Sequence, residues 1–142
     1  VDRLLLVAVI VGLLLLLAWI GGRGGRIQRR RMRRAQRAEG DAETLLERAG
    51  YRIEGRQVTG TWPMLVNGEP VEAALRADLL VRKRRRRYVA EVKSGPVASR
   101  PTDPSTRRQL LEYRLAFDVH GVLLVDMHRR RILTIEFPGA DP

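Results

Sequence analysis

From Leu4 to Ile20 every residue is apolar or glycine, and Gly21-Gly22 carries the uncharged run on to Arg23. At ~1.5 Å per residue such a helix measures roughly 26 to 28 Å, close to the ~30 Å hydrocarbon core of a bilayer. The pattern predicts one membrane-spanning helix, with residues 1–22 as its segment and residues 4–22 in contact with the membrane. A buried soluble helix that is apolar all round needs a larger core than the rest of the chain offers. A cleaved secretory signal is the other competitor. Only Val1-Asp2-Arg3 precedes the apolar run, and no Ala-x-Ala-like site comes before Arg23, so the anchor is expected to be retained.

Beyond the anchor the periodicity changes. Ala42, Leu45, Leu46 and Ala49 recur at helical spacing, and Gly50 is placed to end that helix. Tyr51 to Val58 alternates as a strand, with Thr59-Gly60-Thr61-Trp62-Pro63 expected to break or bend it. Met64-Leu65-Val66, the Asn67-Gly68 turn signal and Val71 to Val81 read as a hairpin leading into a long central strand. Arg82 to Arg87 is expected to be the turn before a strand from Tyr88 to Val92. Ser94 to Ser105 has loop composition, and a helix is predicted from Pro104 and Ser105 through about Phe117. Gly121 to Val125 is an uninterrupted apolar run suited to a strand buried on both faces. Arg129-Arg130-Arg131 turns the chain into a last strand, Ile132 to Phe137. The order helix, three strands, helix, strand, strand predicts one α/β domain over residues 39–142, a mixed sheet flanked by helices.

The formal net charge of +11 divides unevenly. Residues 1–38 carry nine basic side chains and one acidic, leaving only eighteen basic against fifteen acidic for residues 39–142. Eight arginines with no acid among them lie between Arg23 and Arg37, a basic juxtamembrane segment over residues 23–38. By the positive-inside rule that segment, and the domain after it, is expected on the cytoplasmic side of a single-pass anchor. Anionic lipid is the expected partner of Arg23–Arg37, with nucleic-acid phosphate as the alternative. The absence of cysteine agrees with a reducing compartment. In the soluble part, Arg82 to Arg87 must lie in water or beside phosphate, so Arg85 and Arg86 become candidate nucleic-acid contacts.

Three charged residues sit where strands should be apolar. Asp78 lies among Ala77, Leu79, Leu80 and Val81, and a buried carboxylate costs several kcal/mol unless paired or metal-bound. Glu91 and Lys93, two apart on the next strand, leave from one face while Val92 points to the other. A cross-strand pair between Asp78 and Lys93 with Glu91 solvated is the plain alternative. Chemistry gives a stronger reason. Phosphodiester hydrolysis needs a hard divalent cation on oxygen ligands, an oriented water and positive charge near the transition state. Asp78 and Glu91 offer carboxylates, the Val92 carbonyl a main-chain oxygen, and Lys93 a cation for water and phosphate. Gln109 and Tyr113 share a helix face at i, i+4 spacing. Arg107 and Arg108, at the start of that helix, are candidate phosphate contacts. His120 and His128 lack partners at metal-ligand spacing and are expected to be exposed. Trp62 is expected to cover the sheet edge, with base stacking as the alternative.

In these residues the chain resembles the PD-(D/E)XK nuclease superfamily: Asp78, then Glu91-Val92-Lys93 as the E-x-K element. Gln109-x-x-x-Tyr113 is similar to the Q-x-x-x-Y element of the RecB-type branch. The resemblance covers about residues 40–137 and implies a restriction-endonuclease-like fold and an Mg²⁺- or Mn²⁺-dependent deoxyribonuclease, with RNA left open as substrate. It implies Asp78 and Glu91 as metal ligands, Lys93 as catalytic lysine, and Gln109 and Tyr113 near substrate or active-site water. It also implies a completing acid from the first helix, for which Glu43 is the choice and Glu39 and Glu47 compete. Ala77 stands where the nominal motif has proline, and the lack of cysteine excludes the iron–sulfur cluster of some RecB-type members. The alternative function is an inactive nuclease-fold module that binds nucleic acid at the membrane.

Overall fold

The computed structural model describes residues 9–14, 32 and 35–138. The expected membrane helix and the basic segment after it lie largely outside the described residues. Within them, residues 9–14 are helical, and no described helix is long and apolar enough to cross a membrane. The chain divides between Gln36 and Arg37 into two units, of which the second carries the sheet.

That second unit is α/β. Its elements are α1, helical over residues 37–48, then β1 (Arg52–Val66), β2 (Glu69–Lys83), β3 (Arg86–Lys93), α2 (Pro104–Ala116), β4 (Gly121–Asp126) and β5 (Arg131–Ile135). The sheet order is β1-β2-β3-β4-β5. Only β3 and β4 run parallel, and α2 lies on the connection between them, as a parallel pair requires. The other neighbours are antiparallel, so the sheet is mixed.

Alternation along the strands makes two cores. Ala42 and Leu46 of α1 pack with Leu79, Val81, Ala90, Leu123 and Val125, whereas Leu110 and Tyr113 of α2 pack with Ala77, Val89, Val122 and Leu124. Consecutive residues of β4 go to opposite clusters, which is why all six are buried and why the run from Gly121 is uniformly apolar. Each fully buried leucine here contributes about 1.5–3 kcal/mol of transfer free energy. Gly60 of β1 lets α2's end close in, since a Cβ there would meet the Phe117 ring at 2.8 Å.

Three expectations about boundaries need correction. Thr59 to Pro63 does not break β1, which runs on through Trp62 opposite Ala73 and Pro63 opposite Glu72. An edge strand tolerates proline, because the missing N–H need not belong to a ladder. The basic turn is shorter than six residues: Arg82 pairs with Arg87 and Lys83 with Arg86, leaving only Arg84 and Arg85 at the tip. Repulsion among these cations is relieved by Glu54, which accepts from both Arg82 and Arg87 and whose carboxyl is held low mainly by the Arg82 hydrogen bond. β2 begins at Glu69, ahead of Val71, because Asn67 and Gly68 both adopt positive φ and make a two-residue turn.

Candidate active site

The site forms where β2 and β3 part. Their ladder is continuous from Lys83–Arg86 to Leu79–Ala90, and Asp78 and Glu91 are the next residues on each strand. Alternation slips at this point. Ala77 belongs to the core under α2 and Leu79, two residues on, to the core under α1. Asp78 takes over part of the ladder's work: its Oδ2 accepts the Val92 amide at 2.8 Å. On the other side, β1 places Gln57 in the left-handed region at φ 49°, uncommon for a residue inside a strand. The Gln57 amide lies 3.4 Å from Asp78 Oδ1 and 3.3 Å from Glu39 Oε2, joining α1 to β2.

Glu91, Lys93, Gln109 and Tyr113 close a ring. Lys93 Nζ lies 2.6 Å from Glu91 Oε1 and donates to Gln109 Oε1 at 3.0 Å. Gln109 Nε2 donates to the Tyr113 hydroxyl at 2.7 Å. That hydroxyl faces Glu91 Oε2 at 2.9 Å and the Arg76 carbonyl at 2.7 Å, and its single proton serves one of the two at a time. The i, i+4 spacing on α2 puts Gln109 over Lys93 and Tyr113 over Glu91. Asp103 caps α2 by accepting the Thr106 amide, and the buried Ser99 and Thr106 hydroxyls pin the preceding loop to Lys93 and Ala98. The ring is therefore held by the strands on one side and by a fixed helix on the other.

Charge is concentrated here. Glu91 is 5% exposed. Burial raises its pKa above the ordinary glutamate value, the negative charge of Asp78 raises it further, and Lys93 and Tyr113 act in the opposite sense. Glu39 is raised too, first by burial and then by Asp78. Burial and the neighbouring Glu91 push the Tyr113 hydroxyl well above the tyrosine range, so it is a neutral donor. Asp78 thus stands between two carboxyls that it disfavours as anions, the situation a bound cation relieves.

Among the described residues no three His, Cys, Asp or Glu side chains stand together as a finished metal cage. The donors still suit a hard divalent ion. Asp78 and Glu91 are neighbouring carboxylates, burial and then the charge of Asp78 raising the pKa of Glu91, and oxygen is the donor that Mg²⁺ and Mn²⁺ select. Val92 gives its amide to Asp78 and packs its side chain against the α1 core.

The remaining sequence candidates divide clearly. Glu43 is not joined to Asp78: its two oxygens hold Arg56 at 2.7 and 2.6 Å. Glu39 is the α1 acid linked to Asp78 through Gln57. Glu39 and Glu43, both half-buried and one helical turn apart on the same face, carry no signal in the sequence to choose between them. Arg108 and Gln109 line one open cleft beside β2, while Arg107 is exposed and outside the ring. Arg85 and Arg86 sit at the far end of the β2–β3 hairpin, six or so residues and about 20 Å along the strands from Asp78 and Glu91. His120 is occupied elsewhere, its Nδ1 accepting the Arg87 amide at 3.2 Å. Two features went unseen in the sequence. Gln57 is one, since nothing local announces a left-handed residue. Asp126 is the other: it is fully buried beside Lys93 on β4 and bound by Arg131 at 3.0 Å and the Arg129 amide at 3.0 Å. An acid ending an apolar run just before three arginines was the available hint. No family model matches the chain, and no curated protein matches it.

Proposed function

We propose that this chain is a metal-dependent phosphodiesterase acting on DNA, of the PD-(D/E)XK type and its restriction-endonuclease-like fold. The observation that carries the reading is the closed ring of Glu91, Lys93, Gln109 and Tyr113 beside Asp78, at the point where two strands separate. A salt bridge serving stability alone has no need of a buried glutamate held above its normal pKa next to a second carboxylate.

In this reading Asp78 and Glu91 hold Mg²⁺ or Mn²⁺. The bound ion supplies Lewis acidity toward a phosphoryl oxygen and a more acidic water. Lys93 engages Glu91 and Gln109 and has a third N–H for the attacking water or a phosphate oxygen. In hydrolysis the water oxygen bonds to phosphorus and loses a proton to solvent as the ester P–O bond breaks and the departing oxygen takes up a proton, while the Lys93 ammonium steadies the growing charge on the phosphoryl oxygens. Gln109 and Tyr113 fix Lys93 and Glu91 in the orientation this demands. The anchor over residues 4–22 and the arginines after it make the enzyme a single-pass membrane protein with its domain facing the cytoplasm and anionic lipid as a partner.

A second reading has its own support. Both Glu91 oxygens are engaged by protein donors, the arrangement expected of an inactive module that binds nucleic acid without cutting it. Incubation of the full chain with single- and double-stranded DNA and Mg²⁺ or Mn²⁺ separates the two. The enzyme cuts, and Asp78→Ala cuts nothing while still binding. A chain that neither cuts nor takes up metal in calorimetry refutes the proposal.

A further inference from the structure

The β2–β3 hairpin ends in cations that the proposed site leaves without a task. Glu54 engages Arg82 and Arg87, the pair one rung behind the last rung, Lys83–Arg86. Lys83, Arg84, Arg85 and Arg86 are all exposed and make no ion pair among the described residues. With Tyr88 they line a cleft of about 630 Å³ that has no acidic residue in its walls. The turn also runs against backbone preference. Arg84 sits in the left-handed region at φ 56°, a conformation that the other hairpin of the sheet gives to Asn67 and Gly68 at less cost. Behind the tip, Lys83 Nζ lies 4.8 Å from the centre of the Tyr51 ring, which meets Tyr88 edge to face at 5.7 Å.

We infer that this tip, Lys83 to Arg86, docks the domain on the anionic phospholipid surface of the membrane that holds the chain. The inference rests on the proposed anchor at residues 4–22 and is independent of hydrolysis. Charge is polarised along β3: the four cations stand at its start, whereas Glu91, with Asp78 and Glu39 nearby, stands toward its end about 20 Å away. A phosphate held at the tip is therefore out of reach of the carboxylates, and a bilayer at the tip leaves them facing away from it. Cations clustered in this way suit anionic headgroups, and tyrosines are at home at the membrane interface. Tethering in the same chain makes the encounter intramolecular and raises the effective concentration of lipid. Helix α1 joins the two ends in about 18 Å, from Glu39 near Asp78 to Gly50, where an added Cβ would lie 3.7 Å from Lys83 Cε. The fourteen residues from Arg23 to Gln36 reach at most about 46–50 Å, so their length permits the far end to meet the bilayer.

The chain supplies its own reporters, because Lys83 at the tip and Lys93 in the ring are its only lysines. The full chain is reconstituted in nanodiscs of phosphatidylcholine, or of equal parts phosphatidylcholine and phosphatidylglycerol, and its lysines are acetylated with a water-soluble ester and read by mass spectrometry. On the anionic discs Lys83 labelling is expected to fall about fivefold or more, the effect of roughly one surface cation, while Lys93 labelling stays as it is. Salt at about 0.5 M should abolish the protection. Arg84→Gly combined with Arg85→Ser removes two cations and gives the positive φ to a glycine, so the turn is kept, as circular dichroism checks. This variant should label at Lys83 as it does on phosphatidylcholine alone. Equal Lys83 labelling on the two lipids, protection that persists in the variant, or protection shared by Lys93 overturns the docking. Protection of Lys83 by a short DNA duplex and not by phosphatidylglycerol overturns it in favour of nucleic acid. A chain that fails to co-purify with phosphatidylcholine discs refutes the anchor instead, and phosphatidylglycerol vesicles added to it then decide the tip by the same label.

Discussion

The Tyr113 hydroxyl lies 2.9 Å from Glu91 Oε2 and is the point at which helix α2 touches the carboxylate of strand β3. Truncation to Tyr113→Phe removes that contact and also strands the Gln109 amide and the Arg76 carbonyl, both bound to the same oxygen. Leaving such groups unpaired costs about 1–3 kcal/mol, and urea denaturation should register a loss of that size. Because the hydroxyl helps to keep Glu91 ionised, the acid limb of the cleavage rate should move to higher pH in the variant. An unmoved limb would mean that Tyr113 only packs.

Lys93→Met should lower cleavage by about a hundredfold or more, the scale for removing one group that acts on transferred charge or protons. Lys93→Arg should not restore it. The guanidinium is a planar fork, and the slot between Glu91 and Gln109 is fitted to a compact ammonium. Single-turnover kinetics with saturating DNA is the measurement, because it isolates the chemical step from binding.

Glu91 also makes a prediction about stability against pH. Its folded pKa lies above the ordinary 4.5, with burial as the first cause and Asp78 as the second. The folded state therefore holds this proton more tightly than the unfolded chain. The resulting stabilisation is complete below 4.5 and is lost as pH rises through the folded pKa. Glu91→Gln, which imitates the protonated acid, should melt at a higher temperature than the wild type at neutral pH in EDTA. The gap should close on acidification toward 4.5. A variant less stable at neutral pH would show that the Lys93 pair outweighs the burial of the charge.

The two α1 acids should separate cleanly. Glu39→Gln removes a carboxylate that shares Gln57 with Asp78, and Mn²⁺ affinity by titration calorimetry should fall. Glu43→Gln breaks a pair with an Arg56 side chain that is 65% exposed and screened by water, so it should leave the melting temperature nearly unchanged and Mn²⁺ affinity alone. The reverse pattern would return the role to Glu43.

Much of this arrangement was legible in the residues. Periodicity gave the element order because strands buried on both faces and an amphipathic helix have distinct signatures. Asp78, Glu91 and Lys93 stood out because charge is anomalous in such strands. Helical spacing puts Gln109 and Tyr113 on one face, and their likeness to the Q-x-x-x-Y element marks them as site candidates. What escaped depended on tertiary contacts. Whether Glu39 or Glu43 meets Asp78 depends on how α1 sits over the sheet, which a short helix with Glu39, Glu43 and Glu47 on successive turns does not encode. The continuity of β1 through Pro63 depends on its place at the sheet edge. The exclusion of Arg85 and Arg86 from the site follows from strand length, since a hairpin fixes how far its tip stands from its base.

The one parallel pairing in the sheet has a consequence for biosynthesis. Lys93 ends β3, but its partner Gln109 arrives only with the helix that crosses to β4, and Asp126 beside it ends the next strand. Crossovers of this kind cannot zip up residue by residue from a tight turn, and they form late. A nascent chain that has emerged only through β3 would have its Glu91 and Lys93 but nothing to orient them. The proposed site would thus be completed only when α2 has crossed over to β4, so no earlier stretch of the chain can assemble it alone.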